Sequence, residues 1–181
     1  VRTVVRACGE LHLGALTLYA FSVENWQRPK KEIGALMRLL EKFLYGEIGE
    51  LNGNNVRLAV SGRIGDLPGS VQKAIDHTMA ATSGNTGLVL NLALSYGGRT
   101  EIVDAVRKLC AQAAAGELKP DDICEKTISG SLYHPELGDP DLLIRTSGEQ
   151  RISNFLLWQM AYTEMFIDQV LWPEFRRTHL Y

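Results

Sequence analysis

The chain has 181 residues, 45% hydrophobic and 22% charged, which is an ordinary globular composition and enough for one domain with a real core. A net charge of -2 excludes a surface built as a whole for nucleic acid, so any anion site must be a local cluster. No apolar run approaches the ~18 residues of a membrane span, and no signal-peptide pattern occurs.

In chain order, Val4, Val5, Cys8 and Leu11 recur at helical spacing and predict a first helix over Arg2 to Leu11. Leu16 to Phe21 (LTLYAF) is rich in strand formers and too short for a helix, so it reads as a buried parallel strand. Ser22 to Pro29 is a loop. A long helix over Lys30 to Leu51 then presents Ile33, Leu36, Met37, Leu40, Phe43, Leu44 and Ile48 on one face. NGNN at Asn52 to Asn55 stops it. Val56 to Val60 predicts a second strand, Pro68 to Ala81 a helix, and Leu88 to Leu94 (LVLNLAL) a third strand. Tyr96-Gly97-Gly98 precedes a helix over Arg99 to Ala115, and a short helix is expected over Pro120 to Ser129. Leu142 to Thr146 predicts a fourth strand. Asn154 to Tyr162 is apolar and fits either helix or strand; Glu164 to Ile167 fits a further strand, and a last helix is expected after Pro173.

Strands that alternate with helices imply βαβ units, a mainly parallel sheet and an α/β fold in a single domain. Right-handed crossovers bring the carboxyl ends of the strands to one edge, where ligands of open α/β sheets sit. Ser22 to Arg28 and Thr146 to Ser153 each follow such a strand end and are expected to face one cavity.

The second of these loops lies in LLIRTSGEQRISNFLLWQ, where two arginines, Arg145 and Arg151, stand between apolar flanks. Arginine is a permanent cation with a planar fork suited to phosphate oxygens. Ser147 and Ser153 add hydroxyl donors, and Gly148 lets the backbone come close. Two surface arginines in a turn would give the same pattern. The first loop, SVENWQRPKKE, holds Ser22, Val23, Glu24, Asn25, Trp26, Arg28 and Glu32, and reads as a binding loop or as a helix-entry turn with Trp26 packed on the core. Glu164, inside apolar AYTEMFI, needs a cation or metal partner unless it faces solvent on an edge strand.

Weaker patterns remain. Asp121-Asp122 mimics an aspartate-rich magnesium motif, but acidic residues after Pro120 also suit a helix start. Gly97-Gly98 before a helix is no full dinucleotide or P-loop fingerprint and reads as a tight strand-to-helix turn rather than a phosphate cradle. Three cysteines, Cys8, Cys110 and Cys124, are odd in number and lack metal-type spacing, which points to a reduced, cytosolic protein. The chain opens at Val1 directly in a helical pattern and closes on EFRRTHLY, so further segments are expected at both ends.

Taken together, LTLYAFSVENWQRPKKE, SGNTGLVLNLALSYGGR, DLLIRTSGEQRISNFLLWQMAYTE and VLWPEF resemble the cis-prenyltransferase family, the undecaprenyl diphosphate synthases, over nearly the whole chain. The resemblance implies a magnesium-dependent reaction. An allylic diphosphate, usually farnesyl diphosphate, loses its diphosphate and is attacked by isopentenyl diphosphate, in cycles, to give undecaprenyl diphosphate, a carrier of cell-wall precursors. By the same resemblance Arg145, Arg151, Ile152 and Ser153 hold isopentenyl diphosphate, and Glu164 is the magnesium ligand. Ser22, Val23, Glu24, Trp26, Arg28 and Glu32 belong to the loop that closes over substrates. Asn25 is the catalytic candidate, more suited to orienting substrate than to taking a proton, because an amide is a poor base. The Lys30 to Leu51 helix would line a tunnel for the growing chain, with room beside Gly34, Ala35, Gly46 and Gly49. A homodimer and peripheral membrane contact through the apolar product are implied as well.

The family's Asp-Gly-Asn-Gly-Arg-Trp segment, carried on its first strand, and a Gly-His pair are expected before Val1, and an arginine- and glycine-containing tail after Tyr181. Gln150 stands where many relatives have His. Two rivals are a non-catalytic partner subunit of the same fold and an unrelated phosphate-binding enzyme such as a nucleotide hydrolase. The intact loops oppose the first and the lack of a P-loop opposes the second.

Overall fold

A computed structural model describes residues Val1–Tyr181, which form two compact units, Val1–Tyr96 with Arg176–Tyr181, and Gly97–Phe175. The first unit holds α1 (Arg2–Glu10), β1 (Ala15–Ser22), α2 (Lys30–Gly46), α3 (Ile48–Gly53), β2 (Arg57–Ser61), α4 (Gly69–Thr82) and β3 (Val89–Tyr96). Its three strands are parallel in the order β1-β3-β2. β3 is buried along its whole length, which its near-continuous apolar run requires of a central parallel strand. The buried polar residue in its middle, Asn91, is satisfied across both neighbours. It accepts from Ser61 Oγ at 3.0 Å on β2 and donates to Thr17 Oγ1 at 3.3 Å on β1. Val4, Val5, Ala7 and Cys8 of α1, Met37 and Leu44 of α2, and Val71, Ala74 and Ile75 of α4 are buried with the sheet residues in the core.

The second unit holds α5 (Gly98–Ala114), α6 (Glu125–Ser129), β4 (Leu142–Arg145) and β5 (Glu164–Ile167). β4 and β5 are parallel, with Leu142 opposite Glu164 and Arg145 opposite Ile167. The expected α/β class, with parallel strands and flanking helices, is observed, and every predicted strand is present within a residue or two.

Four helical expectations need correction. The Lys30 to Leu51 helix is two helices broken at Glu47. Thr78 Oγ1 donates to the Leu44 carbonyl at 3.1 Å, so a side chain from α4 enters the backbone ladder where the axis turns. Glu47 is buried there and accepts from the Arg2 guanidinium at 2.8 Å. The expected Pro120 to Ser129 helix is a 3-10 turn, Pro120–Asp122, followed by α6. Ile123 and Cys124 are extended between them, and the Cys124 N–H goes to Thr127 Oγ1 at 3.2 Å. Asn154 to Tyr162 is neither helix nor strand but a series of turns with positive φ at Asn154 and Leu156. No α-helix follows Pro173. Two 3-10 turns, Trp172–Glu174 and Arg177–His179, stand there instead, and the Arg176 N–H is taken by His179 Nδ1 at 3.0 Å.

Candidate active site

Parallel strands deliver their carboxyl ends to one edge, and in the first unit this edge gathers the ends of β1, β2 and β3. The segment after β1 forms a 3-10 turn, Val23–Gln27. Asn25 organises it, because its Oδ1 accepts the Ser22 N–H at 3.0 Å and its carbonyl accepts the Arg28 N–H at 3.1 Å. With Oδ1 occupied, the amide presents its NH2 end, which is a donor and not a base. Trp26 is half-buried, meets Phe21 edge-on at 5.0 Å, and donates from Nε1 to Ser95 Oγ at 2.9 Å. Ser95 Oγ in turn donates to Asp66 Oδ2 at 3.2 Å. One chain of bonds therefore links the segments after β1 and β2 through the carboxyl end of β3, and the packed-tryptophan reading of Trp26 holds alongside its place in the loop. Val23 is half-buried, Glu24 is exposed, and the exposed Arg28 and Glu32 pair at 2.7 Å one helical turn apart. Beneath the loop, burial pushes the Tyr19 hydroxyl up to about 12.

In the second unit β4 ends at Arg145. Its ladder continues past the strand, with the Asp168 N–H on the Arg145 carbonyl, the Gly148 N–H on the Asp168 carbonyl and the Ser147 N–H on the Val170 carbonyl, each at 2.8 Å. These bonds fix the turn that follows Arg145. Arg145 Nε is buried and has no hydrogen-bond partner. A buried donor of a charged group without an acceptor is costly, and an anion is the species that would relieve it. Further along, Arg151 is exposed and pairs with Glu149 at 2.5 Å, Ile152 is half-buried, and Ser153 is exposed with φ +52°. Glu149 was not singled out from the sequence; the opposite charges two residues apart in GEQR were the available signal.

Glu164 opens β5 and is exposed, with its N–H on the Asp141 carbonyl at 3.0 Å. The register places it at the amino end of the ladder that Arg145 closes, so the backbone does not bring these two together. A lone carboxylate is nonetheless an adequate protein donor for magnesium, which takes most of its shell from water and phosphate oxygens.

The weaker motifs resolve into structural roles. Asp121 and Asp122 lie in the first turn of an exposed 3-10 segment. Gly97-Gly98 forms the strand-to-helix turn expected of it, and the Gly98 N–H goes to the Asn154 carbonyl at 2.6 Å. Asp66, Ser95 and Asn154 were also missed, because each matters through a partner far away in sequence. Beside the expected tunnel helix there is a small cavity of about 20 Å³, lined by Val5, Phe43, Leu51, Val56 and Leu90 together with Arg2 and Glu47, room for a water and not for a prenyl chain.

Parallel strands with polar loops at their carboxyl ends define an α/β protein of the kind that binds ligands at strand ends. The sequence matches the family model described as "Putative undecaprenyl diphosphate synthase" over residues 1–181, and the chain belongs to that family. It is 51% identical over 181 residues to an isoprenyl transferase of Geobacter sulfurreducens, covering 100% of this chain and 74% of that protein. It is 50% identical over 179 residues to an isoprenyl transferase of Geobacillus kaustophilus, covering 99% and 70%. Among solved structures, lavandulyl diphosphate synthase from Lavandula x intermedia, in complex with dimethylallyl diphosphate, superposes with a TM-score of 0.94 at 37% identity, covering 99% of this chain and 78% of that one. A "probable undecaprenyl diphosphate synthase" from Campylobacter jejuni gives 0.88 at 33% identity, covering 99% and 82%. The chain is thus a transferase of the prenyl-chain-elongating kind.

Proposed function

We propose that this protein, acting as a single catalytic domain, condenses isopentenyl diphosphate onto farnesyl diphosphate with cis geometry. Repeated cycles then yield undecaprenyl diphosphate. The observation that carries the reading is the buried Arg145 Nε without a partner, at the carboxyl end of a parallel strand and ahead of Arg151 and Ser153. In this reading Arg145, Arg151, Ile152 and Ser153 hold the diphosphate of isopentenyl diphosphate. The guanidinium forks orient it and lower the cost of bringing a second polyanion to the site.

Ser22, Val23, Glu24, Trp26, Arg28 and Glu32 form the loop over the substrates, and Asn25 orients isopentenyl diphosphate through its NH2 end. The engaged Oδ1 supports orientation over proton removal. The proton that leaves on formation of the new double bond goes to a carboxylate or to a diphosphate oxygen. Magnesium, when bound, neutralises charge on the departing diphosphate. Glu164 is the residue proposed to hold it.

The growing chain is proposed to pass beside α2, where Gly34, Ala35 and Gly46 keep side chains small. Exposed Leu142, Tyr162, Met165 and Phe166 on and beside the β4–β5 ladder support a homodimer through that surface. A cytoplasmic location, with contact to the membrane surface through the product, fits three free cysteines.

The test is to incubate the full-length protein with farnesyl diphosphate and labelled isopentenyl diphosphate, with magnesium or a chelator, and to size the extracted product. Magnesium-dependent incorporation into a ladder ending near eleven isoprene units would establish the reading. A product stopping after one condensation would move it toward the lavandulyl diphosphate synthase relative. No incorporation by the folded protein would favour a non-catalytic partner subunit.

A further inference from the structure

Asn154 makes two bonds to the first turn of α5. Its carbonyl accepts the Gly98 N–H at 2.6 Å, and its side-chain Oδ1 accepts the Arg99 N–H at 2.9 Å. These are two of the N–H groups that a helix cannot satisfy internally. The residue at the usual capping position is Gly97, which has no side chain to do so. Asn154, 55 positions away from Arg99, caps the helix in its place.

The contact is close and conformationally demanding. A Cβ on residue 98 would lie 2.7 Å from Leu157 Cγ and 2.9 Å from its backbone nitrogen, so only glycine lets the segment rest on the helix start. Ser153, Asn154 and Leu156 have φ of +52°, +61° and +42°, a region costly for any non-glycine residue and least so for asparagine. A second anchor follows. Gln159 Nε2 donates to Glu101 Oε2 at 3.1 Å, and both side chains are buried. The start of α5 thus acts as a template for residues 154–159, and Ser153 and Arg151 lie immediately upstream of its first anchor.

We infer that Asn154 is a positioning residue for the diphosphate loop. By clamping its own carbonyl and its side chain to Gly98 and Arg99, it fixes the strained backbone from which Ser153 and Arg151 present their donors. This inference rests on the reading of Arg145, Arg151 and Ser153 as the isopentenyl diphosphate site. Its role is distinct from a general folding role, because Asn154 secures one end of a loop whose other end is already held by the β4–β5 ladder.

The experiment compares steady-state kinetics and thermal melting of the full-length wild type with Asn154→Ala, Asn154→Asp and Arg145→Ala. Asn154→Ala removes the Arg99 acceptor and should raise KM for isopentenyl diphosphate about tenfold, with KM for farnesyl diphosphate unchanged. Asn154→Asp keeps an acceptor at a helix N-terminus that favours negative charge, and should restore KM to within about threefold of wild type. The inference is overturned if Asn154→Ala leaves KM for isopentenyl diphosphate unchanged. It is equally overturned if both KM values and the melting temperature shift together and Asn154→Asp rescues none of them. If Asn154→Ala fails to fold, the decision falls on Asn154→Asp, which must fold and hold KM for isopentenyl diphosphate within about threefold of wild type. Arg145→Ala separates the two levels. If it leaves KM for isopentenyl diphosphate unchanged, the site reading fails and the positioning role falls with it; if it raises KM while Asn154→Ala does not, only the positioning role falls.

Discussion

Arg145 sets a cost in stability against the diphosphate-binding role proposed for it. Its buried Nε lacks an acceptor, so the ligand-free protein bears the cost of a desolvated cationic donor. Arg145→Leu is therefore expected to hold or raise the melting temperature of the ligand-free protein while lowering kcat/KM for isopentenyl diphosphate roughly a hundredfold. Differential scanning fluorimetry and steady-state kinetics on one preparation would check both halves. A loss of stability without a loss of activity would contradict the assignment.

Tyr19 offers a test by pH. Burial raises its hydroxyl from 10.0 to about 12, and the hydroxyl donates to the Tyr96 carbonyl at 3.3 Å. A raised folded-state pKa means that the folded form keeps the proton longer. The contribution is complete below the unfolded value near pH 10 and is lost as pH rises toward about 12. Urea-unfolding midpoints measured from pH 8 to 12 should fall more steeply for wild type than for Tyr19→Phe. Parallel curves would show that Tyr19 carries none of the alkaline loss. The Arg145 pattern was visible in the sequence as paired arginines between apolar flanks. The state of Tyr19 was not, because LTLYAF does not say what covers its ring.

Among the elements, two glycines separate backbone necessity from open space. Gly62, directly after β2, has φ +125°, and a Cβ there would sit 2.0 Å from the Leu94 carbonyl oxygen. Gly62→Ala should cost at least about 2 kcal/mol, read by chemical denaturation. Gly46, the last residue of α2, has nothing within 4 Å of a Cβ position. Gly46→Ala should therefore gain about 0.5 kcal/mol through helix propensity. A shorter product from the same variant would support a growing chain passing beside α2, and unchanged product length would oppose it. The apolar spacing of Lys30 to Leu51 made the helical character legible. The break at Glu47 was not, because Thr78, whose hydroxyl takes the Leu44 carbonyl, lies on another helix.

At the scale of the whole molecule, the exposed apolar side chains of the second unit need a cover. Tyr162 is 98% exposed and Phe166 51%, and both stand beside or on β5. Exposed apolar side chains of this kind fit the homodimer surface proposed above. Phe166→Glu is expected to convert a dimer to a monomer in sedimentation velocity with the far-UV spectrum intact. A wild type that already sediments as a monomer would refute the assembly.

The sequence by itself determined the class of fold and the chemistry on offer. Strand-forming runs of the right length alternate with amphipathic helices, and the residue types in LLIRTSGEQRIS and SVENWQRP limit those loops to polar, anion-compatible work. Local patterns of this kind depend on periodicity and side-chain chemistry, which are properties of neighbouring residues. Tertiary structure alone decided that Asn154 caps α5, that Trp26 hangs from Ser95, that Glu101 holds Gln159, and that Arg145 Nε is left without a protein acceptor. Each depends on which distant backbone or side-chain group arrives within about 3 Å, the reach of a hydrogen bond. That meeting is set by how the strands and helices pack, and no stretch of neighbouring residues specifies it.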